Sequence, residues 1–265
     1  MTISIRRVMF LAAAALLAVT LQACKDRGRA GSGPGEVKGE GKAPSQETFD
    51  EAAWKDEPHP DGDAPRIDIA FCLDATGSME KLIEAAKSRI KGIYKEIEAG
   101  QPRPSVRFAA VAYRDKGDEF VSRLYGFTTD PSKAERALGN IKATGGGDTP
   151  EHVVEGLRRA VNALGWDPSA KLRFLFLLGD APPHLDYGAE SDVAPVLKAA
   201  KEKNIIIGAV VYGDSMSPEG KAFWKKVADE TGGPSEGVAL KGEMTLESML
   251  LEAIRREALK QGIVY

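Results

Sequence analysis

The sequence predicts an α/β domain with a doubly wound, mostly parallel central sheet flanked by helices. Three observations lead there. Ile67 to Asp74, Lys171 to Gly179 and Ile205 to Tyr212 are strand-length runs that stay apolar on both faces. Segments between such runs carry apolar residues at helical spacing. Helix limits are also marked: Pro150 precedes one helix, and Ser217-Pro218 opens another that Gly232-Gly233 closes. Strands buried on both faces belong to parallel sheets covered by helices on each side.

Ahead of the domain, Arg6 and Arg7 precede an apolar stretch, Val8 to Thr20, that is short for a bilayer span. It runs into Leu21-Gln22-Ala23-Cys24, which resembles the lipobox of bacterial lipoproteins. The resemblance implies cleavage before Cys24, acylation of that cysteine and attachment to a membrane through its acyl chains. Residues 1–23 are therefore read as a signal peptide, 24–64 as a lipidated N-terminus and flexible linker, and 65–265 as the folded domain. Glycine, proline and charge alternate in the linker, from Gly31-Ser32-Gly33-Pro34-Gly35 to Lys42, leaving little apolar surface to bury. Glu47 to Trp54 allows one short helix there. Lys25, which is not aspartate, favours the outer over the inner membrane in families that sort lipoproteins by that position.

Within the domain, Ile67 to Asp74 is the first buried strand. Met79, Leu82, Ile83, Ala86, Ile90, Ile93 and Ile97 then share one helical face. Val106 to Arg114 is the second strand, and Glu119 to Phe127 an edge strand paired with it. Ser132 to Lys142 forms a short helix. Val153, Val154, Leu157, Ala160, Val161 and Leu164 line the next helical face. The strands Lys171 to Gly179 and Ile205 to Tyr212 follow, then the helix from Ser217. A short strand near Gly237 to Leu240 and a helix from Thr245 end the pattern. Cys72 lies in an apolar run and reads as a small buried hydrophobe.

The chain carries a formal net charge of -3 and no basic block, which excludes a nucleic-acid surface. No phosphate-cradling Gly-x-x-x-x-Gly-Lys-Ser/Thr loop and no Gly-x-Gly-x-x-Gly after the first strand is present, so no nucleotide is expected. No Gly-x-Ser-x-Gly elbow occurs either.

Ligands of doubly wound folds sit beyond the carboxyl ends of the strands. Three polar loops lie there: Asp74-Ala75-Thr76-Gly77-Ser78, Gly145-Gly146-Gly147-Asp148-Thr149-Pro150-Glu151, and Gly179-Asp180-Ala181-Pro182-Pro183-His184. They bring Asp74, Thr76, Ser78, Thr149 and Asp180 to one crevice. Two carboxylates and three hydroxyls form an all-oxygen set that suits a hard cation, Mg²⁺ first, with Mn²⁺ or Ca²⁺ as alternatives.

On these residues the chain resembles the von Willebrand factor type A domain with its metal-ion-dependent adhesion site. The match covers roughly residues 66 to 262. Thr76 replaces the middle serine of the family's Asp-x-Ser-x-Ser motif and keeps its hydroxyl. Thr149 best matches the family's later threonine, and Asp180 its later aspartate. The resemblance implies that hydroxyls bind the cation directly while the aspartates act largely through water. The ion then keeps an open position that a carboxylate of a partner protein fills.

Plainer roles exist for each residue. Asp74 or Ser78 would serve as a helix cap. Asp115 and Asp148 are candidates for orienting the ligands from behind. His152 and His184 sit beside the site as hydrogen-bonding rim groups, Arg114 is a structural or rim cation, the Tyr212-Gly213-Asp214-Ser215 turn lines the same face, and His59 has no role. The expected function is a membrane-anchored, divalent-metal-dependent protein-binding module without catalytic activity. The alternative is a metal-dependent hydrolase or phosphatase-like enzyme, although Thr76 stands where a haloacid-dehalogenase phosphatase places its second aspartate.

Overall fold

The computed structural model describes residues 49–147, 149–213, 216–238 and 246–265, all within one compact unit. The signal peptide, Cys24, the first part of the linker, Asp148, Asp214 and Ser215 lie outside the described residues. Six strands form one sheet in the order β3-β2-β1-β4-β5-β6. They are β1 (Arg66–Asp74), β2 (Ser105–Tyr113), β3 (Ser122–Thr128), β4 (Leu172–Gly179), β5 (Ile205–Tyr212) and β6 (Ser235–Val238). Every pairing is parallel except that of β3 with β2. The helices are α1 (Glu80–Glu98), α2 (Pro131–Asn140), α3 (Val153–Asn162), α4 (Ala194–Glu202), α5 (Pro218–Thr231) and α6 (Leu246–Lys260). This is the doubly wound α/β arrangement expected.

Side-chain alternation along β1 divides the core. Ile67, Ile69, Phe71 and Leu73 face one cluster with Leu82, Ile83, Ile90 and Ile93 of α1 and Leu250 and Ile254 of α6. Ala70 and Cys72 face the other, with Val153, Leu157 and Val161 of α3, Leu197 of α4 and Trp224 of α5. Cys72 is buried with a free thiol, and both anticipated helical faces are buried. The chain leaves β1 toward β2 and β3, then returns through β4 to build outward on the other side. Beyond the ends of β1 and β4 the connections therefore diverge, opening a crevice at the topological switch point.

Three elements differ from expectation. Helix α4 was not anticipated; only Val196, Leu197 and Ala200 of its nine residues are buried, a weak stripe to read. Strand β3 begins at Ser122, because Glu119 belongs to a turn where it pairs with Arg114 and Arg123. The linker also ends earlier than residue 64. Around a short 3₁₀ turn, Glu51–Ala53, the segment packs against the sheet: Phe49 and Trp54 stack edge-on against Tyr125, at 5.1 and 5.0 Å between ring centroids. Gly126 N–H donates to the Trp54 carbonyl at 2.9 Å, and Glu57 N–H to the Phe127 carbonyl at 2.7 Å. This strap satisfies backbone groups of the edge strand β3 that would otherwise face water.

His59 likewise has a role that its place in the strap did not reveal. It is 5% exposed, and its ring nitrogens lie 2.9 Å from Asp68 Oδ1 and 2.8 Å from Ser105 Oγ. Arg107 donates to both Asp68 oxygens at 2.8 and 2.7 Å. Asp167 N–H adds a fourth bond to Asp68. Burial alone would raise the Asp68 pKa, but the bonds from His59 and Arg107 outweigh it and hold the carboxyl below its usual range. This network sits at the opposite end of the sheet from the crevice.

Candidate metal centre

Strand β1 delivers Asp74 to the crevice fully buried. Its Oδ1 accepts from Thr76 N–H at 2.9 Å and Thr76 Oγ1 at 2.6 Å, the two-residue turn that aspartate favours. Thr76 Oγ1 lies 3.4 Å from Ser78 Oγ, so the three polar side chains run in a row. The capping role is taken by none of the hydroxyls. Thr76 precedes the 3₁₀ turn Gly77–Met79 and Met79 precedes α1, and neither position has a side-chain cap. Asp74 Oδ2 is buried and has no hydrogen-bond partner among the described residues. Leaving a buried carboxylate oxygen unpaired is costly unless a ligand serves it.

The glycine loop closes over this turn. Gly77 N–H donates to the Gly145 carbonyl at 3.3 Å, and Thr144 N–H to the Ala75 carbonyl at 3.1 Å. Gly146 has a φ of +73°, and a Cβ there would lie 2.8 Å from Thr76 Cβ, so both its conformation and its closeness require glycine. Asp118, not foreseen, stands against this loop and accepts from Gly146 N–H at 3.4 Å. Arg114 ties the loops from below, donating to the Ala75 and Lys142 carbonyls and to Thr144 Oγ1 at 3.0, 2.7 and 2.7 Å.

Strand β4 ends at Gly179, and Asp180 follows, half-buried. Burial raises the Asp74 pKa most, the Thr76 bonds lower it and the Asp180 charge raises it again, to about 7. A cation beside Asp74 would offset the burial that disfavours its ionised form. Thr149 and Ser78 are exposed. No three His, Cys, Asp or Glu side chains among the described residues close into a cage by themselves. A cation here would depend on the hydroxyls as well, and the all-oxygen donors with the orphaned Oδ2 fit one.

Asp115 is engaged at the rim. Tyr187 OH lies 2.8 Å from both its oxygens, and His184 Nε2 stands 3.3 Å from Oδ2. His184 stacks on Tyr187 with centroids 4.1 Å apart. Buried His152 lies 3.1 Å from Glu190 Oε2. Two residues missed by sequence reading stand beneath and beside the crevice. Tyr113 is buried with its hydroxyl unpartnered among the described residues, and Glu151 is 2% exposed.

Comparison with known proteins agrees with this fold. Residues 68–235 match the von Willebrand factor A domain family. The chain is 30% identical over 132 residues to the alpha-protein kinase vwkA of Dictyostelium discoideum, covering 49% of this chain and 21% of that one. It is 35% identical over 120 residues to the human von Willebrand factor A domain-containing protein 7, covering 45% and 12%. Among solved structures it resembles the pilus adhesin SpaC of Lactobacillus rhamnosus GG, with a TM-score of 0.53 at 13% identity, covering 78% and 31%. Proximal thread matrix protein 1 of the mussel byssus gives a TM-score of 0.53 at 16% identity, covering 75% and 46%. At such identities the structural likeness is one of fold. The chain spans 21% and 12% of these two sequence relatives, and their whole-protein activities remain theirs.

Proposed function

The chain belongs to the von Willebrand factor A domain family, and on that footing we propose that it is a divalent-cation-dependent protein-binding module, lipid-anchored in a bacterial cell envelope. The observation that carries the proposal is Asp74: fully buried, half-satisfied by Thr76, with Oδ2 unpartnered among the described residues and Asp180 close enough to raise its pKa. Thr76, Ser78 and Thr149 would offer hydroxyls to the cation, and Asp74 and Asp180 would hold its water ligands. When bound, the cation supplies a positive charge with an open position for a partner carboxylate. Arg114, Asp118 and Gly146 keep the loops in register; Asp115 holds the rim through Tyr187 and His184. Cys24 would carry the acyl anchor, with delivery to the outer membrane favoured.

Capture by the full chain, in membranes and after detergent extraction, tests this. Envelope proteins are offered with Mg²⁺ or with a chelator. A species retained only with Mg²⁺, lost in Asp74→Ala and still bound in solution by Cys24→Ala supports the module. Cys24→Ala is also expected to leave the membrane fraction. Retention indifferent to Mg²⁺ and to Asp74→Ala overturns the metal-dependent reading. Mg²⁺-dependent turnover of a phosphate ester, abolished by Asp74→Ala, would favour the hydrolase alternative instead.

A further inference from the structure

We propose that a basic cleft at the opposite end of the sheet from the crevice binds a phosphate-bearing anion between Arg173, Lys171 and Lys201. The proposal stands apart from the cation-binding reading. The cleft lies where β4 and β5 begin and where α4, α5 and α6 end. It holds about 660 Å³, within the roughly 300–1,000 Å³ of small-molecule sites. Arg173 carries the argument. It is 9% exposed, so its charge is largely removed from water, which is costly without a counter-ion. The other two buried arginines have one: Arg107 pairs with Asp68 at 2.7 Å and Arg114 with Glu119 at 3.4 Å. Arg173 has no carboxylate partner among the described residues; its Nη1 donates to the Asp167 and Ala170 carbonyls at 2.7 and 3.1 Å, and its buried Nε donates to nothing there.

The nearby carboxylates are already engaged. Asp68 is the register partner of Arg173 on β1, yet its oxygens are taken by Arg107, His59 and Asp167 N–H. The Asp167 carboxylate is taken by Arg66 and by the Ser169 hydroxyl and N–H. Arg173 therefore lines the cleft with an unspent donor and an unbalanced charge. Two further cations stand around it. Lys171 is exposed, without an ion-pair partner among the described residues. Lys201 bonds at 2.7 Å to Glu230, the one acidic residue lining the cleft. A helix C-terminus attracts lysine, which accounts for Lys201 in the last turn of α4. It does not account for Lys171 and Arg173, which lie just before and within β4. A phosphate group presents oxygens in several directions at once. It can accept from the Arg173 Nε and meet both lysines as point charges. The same chemistry belongs to a free phosphate and to a lipid headgroup.

Calorimetric titration of the full chain, solubilised in a phosphate-free detergent with a chelator present, tests the site in two arms at constant ionic strength. One arm adds inorganic phosphate, the other a short-chain phosphatidylglycerol. The chelator keeps the crevice at Asp74 out of the measurement. Lys171→Glu is compared with Lys81→Glu, the same charge change on exposed α1 at the far end of the sheet. Circular dichroism checks each fold. Lys171→Glu is expected to raise the Kd about tenfold or more, and Lys81→Glu to leave it as in wild type. That pattern with inorganic phosphate assigns a free phosphate; the pattern with the lipid alone assigns a headgroup. Arg173→Gln, where it folds, should weaken binding as Lys171→Glu does; where it does not fold, Lys171→Glu decides. Wild type that binds neither probe overturns the site. So does a Kd that Lys171→Glu leaves unchanged, or one that Lys81→Glu raises equally.

Discussion

At the scale of single residues, the crevice was partly legible because Asp74, Thr76 and Ser78 alternate at a strand end, and Asp180 closes a second strand. Their types alone suggest oxygen coordination. Glu151 was hidden: an acidic residue near a helix start is ordinary, and only its burial distinguishes it. Tyr113 looked like any core aromatic at the end of an apolar strand. Asp167 illustrates the same dependence on folding. Burial raises its pKa, but bonds from the Ser169 hydroxyl and N–H, and from Arg66, outweigh that and hold it at about 2 against an ordinary 3.8. A depressed carboxyl stabilises the fold fully above its unfolded pKa and loses that contribution as pH falls through the folded value. Wild type should therefore melt above Asp167→Asn at neutral pH, and the two curves should converge between about pH 4 and about pH 2. A melting gap that stays constant across that range would contradict this account.

At the scale of elements, strands and helices with both faces or one stripe apolar were readable from periodicity, and the strap was not. Its composition is that of a linker, and its order comes from partners far along the chain. One signal was present. Asp68 and Arg107 interrupt two apolar strands and prove to be register partners, with His59 and Glu57 closing over them. Opposite charges in adjacent buried strands announce a pair that something must cover. Removing one partner leaves the other charge buried. Asp68→Ala should cost about 3–5 kcal/mol, measured by urea unfolding, and should loosen residues 49–59 in hydrogen exchange. A loss below about 1 kcal/mol would place the network's weight elsewhere.

At the scale of the whole molecule, a doubly wound sheet fixes where a ligand goes before any side chain is considered. Strands β1 and β4 lie side by side at its centre, and the connections leaving them diverge. The crevice, its two aspartates and the glycine loop follow from that topology. The strap brings the N-terminal end of the described domain across β3. Thermal unfolding of the metal-stripped full chain with increasing Mg²⁺, Mn²⁺ or Ca²⁺, in wild type and Asp180→Ala, tests the centre most directly. At a hundredfold excess over Kd, wild type should melt about 5–10 °C higher, and Asp180→Ala should not respond at the same concentrations. A wild-type melting temperature indifferent to all three ions would contradict a metal centre at Asp74.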